Sequence, residues 1–155
     1  MALSNTLLPN GTRILLIRLS AIGDVLHATA IAHNLKHYYP NCHLTWLVSP
    51  PADCLLANNP DIDEILVWDR RPLDKAFTAH KPLAVLNQLK KARQLLKPYH
   101  FDIVIDIQCL FITGILAKLS GASRRIGIHE RHEGNFIFMT EIAPYTRSLH
   151  KAHRY

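Results

Sequence analysis

A run of six almost wholly apolar residues, Ile14 to Leu19 (ILLIRL), is enclosed by two turn signals, Asn10-Gly11 before it and Ser20-Ala21-Ile22-Gly23 after it. A short apolar run without polar alternation is the pattern of a strand buried on both faces, as in a parallel sheet. Such a strand needs helices above and below it, which commits the chain to an α/β layer architecture. Directly after the loop, Asp24 opens a segment with Val25, Leu26, Ile31, Ala32 and Leu35 at helical spacing, stopped by Pro40.

The alternation repeats along the chain. His43 to Val48 (HLTWLV) reads as a second strand, Pro50 to Asn58 as a short helix and Glu64 to Trp68 (EILVW) as a third strand. Asp69 to Pro82, polar and basic, reads as a loop. Leu83 to Leu96 reads as a helix with Val85, Leu86, Leu89, Ala92 and Leu96 inward. Phe101 to Ile107 (FDIVIDI) is a fourth strand. Leu110 to Leu119 is a helix closed by Gly121, and Arg125 to Ile128 and Phe136 to Ile142 are short strands. The expected fold is therefore α/β: a Rossmann-like, doubly wound domain with a mainly parallel sheet over residues 13–149, after an extension over residues 1–12. Ligands of such sheets bind beyond the carboxyl ends of the strands, near the point where strand order reverses.

With 155 residues the chain has room for one real core. It lacks the ~20 unbroken apolar residues of a membrane-spanning helix, and its first residues do not read as a secretory signal, so a cytoplasmic location is expected. Three widely spaced cysteines, Cys42, Cys54 and Cys109, suggest no disulfide framework. A net charge of +6 favours anionic partners. Nucleic acid is not expected among them, because no RNA- or DNA-binding signature accompanies the charge and the aromatics are sparse and strand-bound.

The first loop, SAIGD, holds the leading candidates. Gly23 allows a tight turn or close approach of a ligand to the backbone. Asp24 is read two ways: as an N-cap that accepts backbone N–H bonds, or as a general base aimed at a hydroxyl. The loop has one glycine where a dinucleotide fingerprint has three, and no GK[ST] follows, so a nucleotide site after the first strand is not expected. Arg18, Arg70, Arg71, Lys75 and Lys81 stand at or just past strand ends. Either they clamp phosphate or carboxylate, or they form a solvated loop. Asp106, in an apolar strand, needs buried partners; either it caps a neighbouring loop, or with Gln108 it orients a ligand or loop at the crevice. His129, His132, His150 and His153 make two HxxH spacings without cysteine or a regular carboxylate partner, and HERHE at 129–133 fails the HExxH pattern, so metal is not expected.

Arg13 to Lys36 (RILLIRLSAIGDVLHATAIAHNLK) resembles the opening of the lipopolysaccharide heptosyltransferase family. Asp61 to Leu66 with the basic segment after it, FDIVIDIQ at 101–108, KLSGASRRIGI at 118–128 and the tail His150 to Tyr155 are similar to that family in the same order. The resemblance implies a two-domain GT-B enzyme. Its N-terminal domain would bind the anionic inner core of lipopolysaccharide at the inner face of the cytoplasmic membrane, as a peripheral protein. Its C-terminal domain would bind the donor, ADP-heptose, and transfer would invert the anomeric centre with no metal and no other cofactor. Asp24 would be the base, and Arg18, Gly23, His27, Arg70, Arg71, Gln108 and Arg131 the acceptor-binding residues. Residues 150–155 would begin the inter-domain region, with the donor domain absent and the chain inactive by itself. The alternative is a truncated, non-catalytic Rossmann-like module that binds anionic glycolipid or nucleotide. Two departures from the family stand close together: Cys109 replaces a usual glycine, and Ile112 a frequent lysine.

Overall fold

The apolar run becomes β1, Arg13–Ile17, the centre of a six-stranded sheet in a computed structural model that describes residues 8–128 and 133–143. In chain order the other elements are α1 (Ile22–Tyr38), β2 (His43–Val48), β3 (Glu64–Val67), α2 (Arg71–Thr78), α3 (Pro82–Leu96), β4 (Ile103–Asp106), α4 (Phe111–Leu119), β5 (Arg124–Gly127) and β6 (Glu141–Ile142). The strand order is β3-β2-β1-β4-β5-β6, and every pairing is parallel. This is the Rossmann order, with its reversal between β1 and β4.

Alternate residues of β1 serve opposite faces. Ile14 and Leu16 join Val25, Ala28 and Ala32 of α1 and Trp46 of β2 on one side. Leu15 and Ile17 join Ala92 and Leu96 of α3 and Leu116 and Ala117 of α4 on the other. Both faces are thus covered, which is why β1 is apolar at consecutive positions. The buried face of α1 is largely alanine, so the helix lies close to the sheet, while Ile22 and Leu26 remain exposed.

Several expected boundaries move. β1 ends at Ile17, so Arg18 and Leu19 belong to the loop, although Arg18 N–H still donates to Leu47 O at 3.2 Å. The segment after β3, expected as a loop, contains α2. Pro72 lies in its first turn, where a missing N–H costs nothing, and Asp74 complements the positive helix end. Leu73 and Ala76, three residues apart, bury its inner face. The expected strand from Phe136 is instead a 3-10 turn, Asn135–Phe138, opened by Gly134 in the left-handed region, and only Glu141–Ile142 pairs with β5. The short helix after Pro50 is a 3-10 turn at Ala52–Leu55. Leu86, expected inward, is 61% exposed. Gly121, at φ +82°, follows α4 as a glycine that ends the helix in the left-handed region.

Candidate functional site at the switch point

The reversal between β1 and β4 brings two loops together at the carboxyl edge of the sheet: Arg18 to Ala21 and Ile107 to Leu110. Hydrogen bonds sew them to each other. Leu19 N–H and Ser20 N–H both donate to Gln108 Oε1, at 3.0 and 3.2 Å. Arg18 Nη1 donates to Ile107 O at 2.7 Å, and Ile107 N–H donates to Ile17 O at 3.2 Å. The neighbouring strand ends are tied in as well. Ser49 N–H donates to Leu19 O at 3.0 Å, and Ser49 Oγ donates to Trp68 O at 2.6 Å.

Asp24 stands at the centre of this edge. Helix α1 is capped by Ala21, not by Asp24, and Asp24 occupies its first turn. Its half-buried carboxylate pairs with the guanidinium of the buried Arg18. Arg18 therefore reaches Asp24 and the β4 loop at once, and Trp46 Nε1 donates to its backbone oxygen at 3.2 Å. A charge-assisted pair of this kind fixes where a carboxylate points. Gly23 is exposed, and a Cβ there would meet nothing within 4 Å, so the turn itself does not need a glycine. What glycine leaves is open backbone beside Asp24. His27, one turn further along α1, is exposed.

Beneath the loops lies Asp106, with no exposed surface. Its Oδ1 accepts from Gln108 N–H (3.0 Å) and Cys109 N–H (3.2 Å); its Oδ2 is met by Thr113 Oγ1 (2.8 Å) and Asn135 Nδ2 (3.2 Å). Burial pushes this carboxyl above its usual range, against the pull of those donors. These contacts hold the loop after β4. The order of support runs from Asp106 to the Gln108 backbone, from the Gln108 side chain to Leu19 and Ser20, and so to the loop that carries Asp24. Cys109 takes φ +62°, the left-handed region where a glycine costs least, and its thiol is buried. Ile112 packs against the core cluster that holds Leu15 and Leu116. Thr113 and Asn135 belong to this support and were not singled out from the sequence. Thr113 had a legible signal, a hydroxyl in the first turn of an apolar helix; Asn135 had none.

Arg70 and Arg71 stand where β3 gives way to α2, beyond the same carboxyl edge. Each is paired locally: Arg70 Nε with Asp74 Oδ1 at 3.0 Å, and Arg71 with both oxygens of Asp69 at 2.7 to 3.0 Å. The Arg71 guanidinium holds the Asp69 carboxyl below its usual range. Both pairs are exposed, so they bias the two guanidinium groups weakly and leave them at least partly open to solvent. Arg131 and the four tail histidines, at 129, 132, 150 and 153, lie outside the described residues, as do residues 150–155. Among the described residues, no group of three His, Cys, Asp or Glu is placed to hold a metal ion, and no helix is long and apolar enough to cross a membrane.

Over 126 residues the chain is 32% identical to the lipopolysaccharide core heptosyltransferase OpsX of Haemophilus influenzae, an alignment spanning 80% of this chain and 33% of that protein. The chain belongs to the lipopolysaccharide heptosyltransferase family. A second relative, lipopolysaccharide heptosyltransferase 1 of Campylobacter coli, is 26% identical over 107 residues, or 69% of this chain and 28% of that one. The chain thus spans about a third of the length of the curated heptosyltransferases it matches. No family model matches. Among solved structures, the E. coli heptosyltransferase WaaC with ADP-2-deoxy-2-fluoro heptose superposes with a TM-score of 0.78 at 21% identity, covering 92% of this chain and 45% of that one. The architecture is that of the N-terminal half of a GT-B glycosyltransferase.

Proposed function

We propose that this domain binds the acceptor in an inverting glycosyl transfer from ADP-heptose to the inner core of lipopolysaccharide, with Asp24 as the general base. The observation that carries the reading is the Arg18–Asp24 pair at the switch point, a carboxylate held in place where Rossmann-like sheets bind their ligands. A sugar hydroxyl is a weak nucleophile. As its oxygen forms the new bond to the anomeric carbon, the bond from that carbon to the ADP oxygen breaks, ADP departs, and the hydroxyl proton passes to Asp24. Arg18 is the positioning residue for Asp24. Gly23 leaves room for the acceptor beside the base, and His27 lies next to it on the same helix. Arg70 and Arg71 offer planar donors to the phosphates and carboxylates of an anionic acceptor, and Gln108 holds the loop in register. No metal or other cofactor takes part in this scheme. The acceptor is lipid-borne, so the protein works at the inner face of the cytoplasmic membrane without crossing it.

The test is Asp24→Asn in a chain that carries both the acceptor and the donor half. Turnover per folded molecule is expected to fall ~10²- to 10⁴-fold, the usual contribution of a general base, with acceptor affinity little changed; the unfolding midpoint falls as well, because the buried Arg18 loses its counter-charge. Near-wild-type turnover would remove Asp24 from the chemistry.

A further inference from the structure

The hairpin formed by α2 and α3 has a surface that its core-packing role does not explain. All seven residues from Phe77 to Leu83 are exposed. Phe77 is 75% exposed, Leu83 77% and Leu86 61%. Phe77 is the penultimate residue of α2 and Leu83 the second of α3, on either side of a three-residue turn, and Leu86 follows Leu83 by one helical turn on the same face. None of them faces the core, which takes Leu73 and Ala76 from α2 and Val85, Leu89, Ala92 and Leu96 from α3. Large side chains this open, grouped at one corner, mark a contact surface.

Charge identifies the partner. Residues 70–97 contain eight of the chain's 18 Lys and Arg but one of its 12 Asp and Glu, so this hairpin holds more than the whole net charge of +6. The single acid, Asp74, is already paired with Arg70. Lys75, His80 and Lys81 are exposed and lie within three residues of Phe77 or Leu83 along the chain. Apolar side chains that project from a cationic rim match an anionic lipid surface: the rim meets the headgroups and the apolar tips enter the acyl boundary.

Position gives the contact its purpose. Helix α3, about 22 Å long at 1.5 Å per residue, carries the chain back to the amino end of β4. Its first turn therefore lies at the carboxyl edge of the sheet, the edge that holds Asp24.

We infer that the α2–α3 hairpin docks this protein on an anionic phospholipid leaflet through Phe77, Leu83 and Leu86, with Lys75 and Lys81 against the headgroups. The link to a lipid-borne acceptor rests on the proposed function, but docking itself does not. The experiment is flotation of the 155-residue chain with vesicles of phosphatidylethanolamine and phosphatidylglycerol, or of phosphatidylcholine alone, containing no lipopolysaccharide. The chain is expected to float with the anionic vesicles and hardly at all with the zwitterionic ones. Phe77→Ser/Leu83→Ser/Leu86→Ser should lower the partition coefficient at least ~30-fold, and Lys75→Gln/Lys81→Gln about 10-fold, with unfolding midpoints unchanged because all five side chains are exposed. No flotation, or equal flotation of the triple-serine variant, overturns the inference. So does a wild-type dimer in solution that the triple-serine variant renders monomeric, since a second copy would then cover the patch. The vesicles hold no acceptor sugar, so failure here leaves the Asp24 experiment standing, and the reverse holds too.

Discussion

At the scale of single residues, Asp106 shows how a buried carboxyl can hold a surface loop from beneath. Its four donors suit an anion, yet burial raises its pKa. Thr113 reconciles the two states: its hydroxyl lies 2.8 Å from Asp106 Oδ2 and 2.9 Å from Leu110 O, so it can turn to the carbonyl and accept from a protonated Asp106. A raised folded pKa favours the protonated fold. That stabilisation is complete below the ordinary value of 3.8 and is lost as pH rises through the folded value. Urea unfolding at a series of pH values should therefore show the stability of wild type relative to Asp106→Asn falling as pH climbs above 3.8 and then levelling; a flat or rising difference would contradict the burial argument. At neutral pH Asp106→Asn should cost under about 1 kcal/mol. Asn135 Oδ1, which has no hydrogen-bond partner among the described residues, can accept from the new amide once Asn135 turns over. Asp106→Leu strands two backbone N–H groups and should cost several times more, at roughly 1–3 kcal/mol per buried orphan. Cys109 makes a second case. Because φ is +62° there, Cys109→Gly should be close to neutral, losing a buried thiol while relieving about 1 kcal/mol of left-handed strain. Cys109→Val, β-branched, should lose ~1–3 kcal/mol, measured by the same unfolding curves.

Among the elements, the 3-10 turn at Asn135–Phe138 matters more than its length suggests, because it delivers Asn135 to Asp106. It can do so only because α4 has glycine at 114. A Cβ there would lie 2.6 Å from Phe138 Cδ2 and 3.2 Å from Asn135 Cα and O. Gly114→Ala should therefore push the turn off α4 and cost ~1–3 kcal/mol, although alanine is the better helix former. An unchanged or raised thermal midpoint would show that the turn yields freely. This contact also marks how far the sequence could be read. β1, β2 and β4 were plain because both faces of each are apolar, and the site loop was plain because it follows β1 directly. The turn at 135–138 looked like a strand because Phe136, Ile137 and Phe138 are β-formers, and the buried hydrogen bond that overrides them joins residues 29 apart. Helix α2 hid its periodicity behind charge, although Pro72 and Asp74 were both helix-start signals. The sequence marks Asp24 as a candidate because it follows β1 directly. It marks Arg18 as a candidate clamp, but no spacing rule reveals that its guanidinium reaches forward along the chain to position 24.

Considered whole, the molecule has two cores back to back, one on each face of the sheet, and every residue of β1 from Ile14 to Ile17 belongs to one or the other. Leu16 lies opposite Trp46 on β2 and Ile105 on β4, with no exposed surface. Removing its side chain to Cβ should cost ~2–5 kcal/mol in its own core. The question is whether the opposite core notices. The two tryptophans answer it, for Trp46 packs with Leu16 and Trp68 lies in the cluster on the far face. In a Trp46→Phe background, emission reports Trp68 alone, and far-UV circular dichroism reports the whole sheet. Because β1 bonds to both β2 and β4, and Leu15 and Leu16 are consecutive residues of one strand, neither core can lose its strand while the other keeps it. Leu16→Ala in that background should therefore lower the urea midpoint of Trp68 emission and of circular dichroism by the same amount, in a single transition. If Trp68 kept its midpoint while the dichroic transition moved or split, the sheet would be two stability units meeting at β1. The loops joined across the switch point would then open without global unfolding, and the Arg18–Asp24 geometry would be a property of one sub-state rather than of the fold.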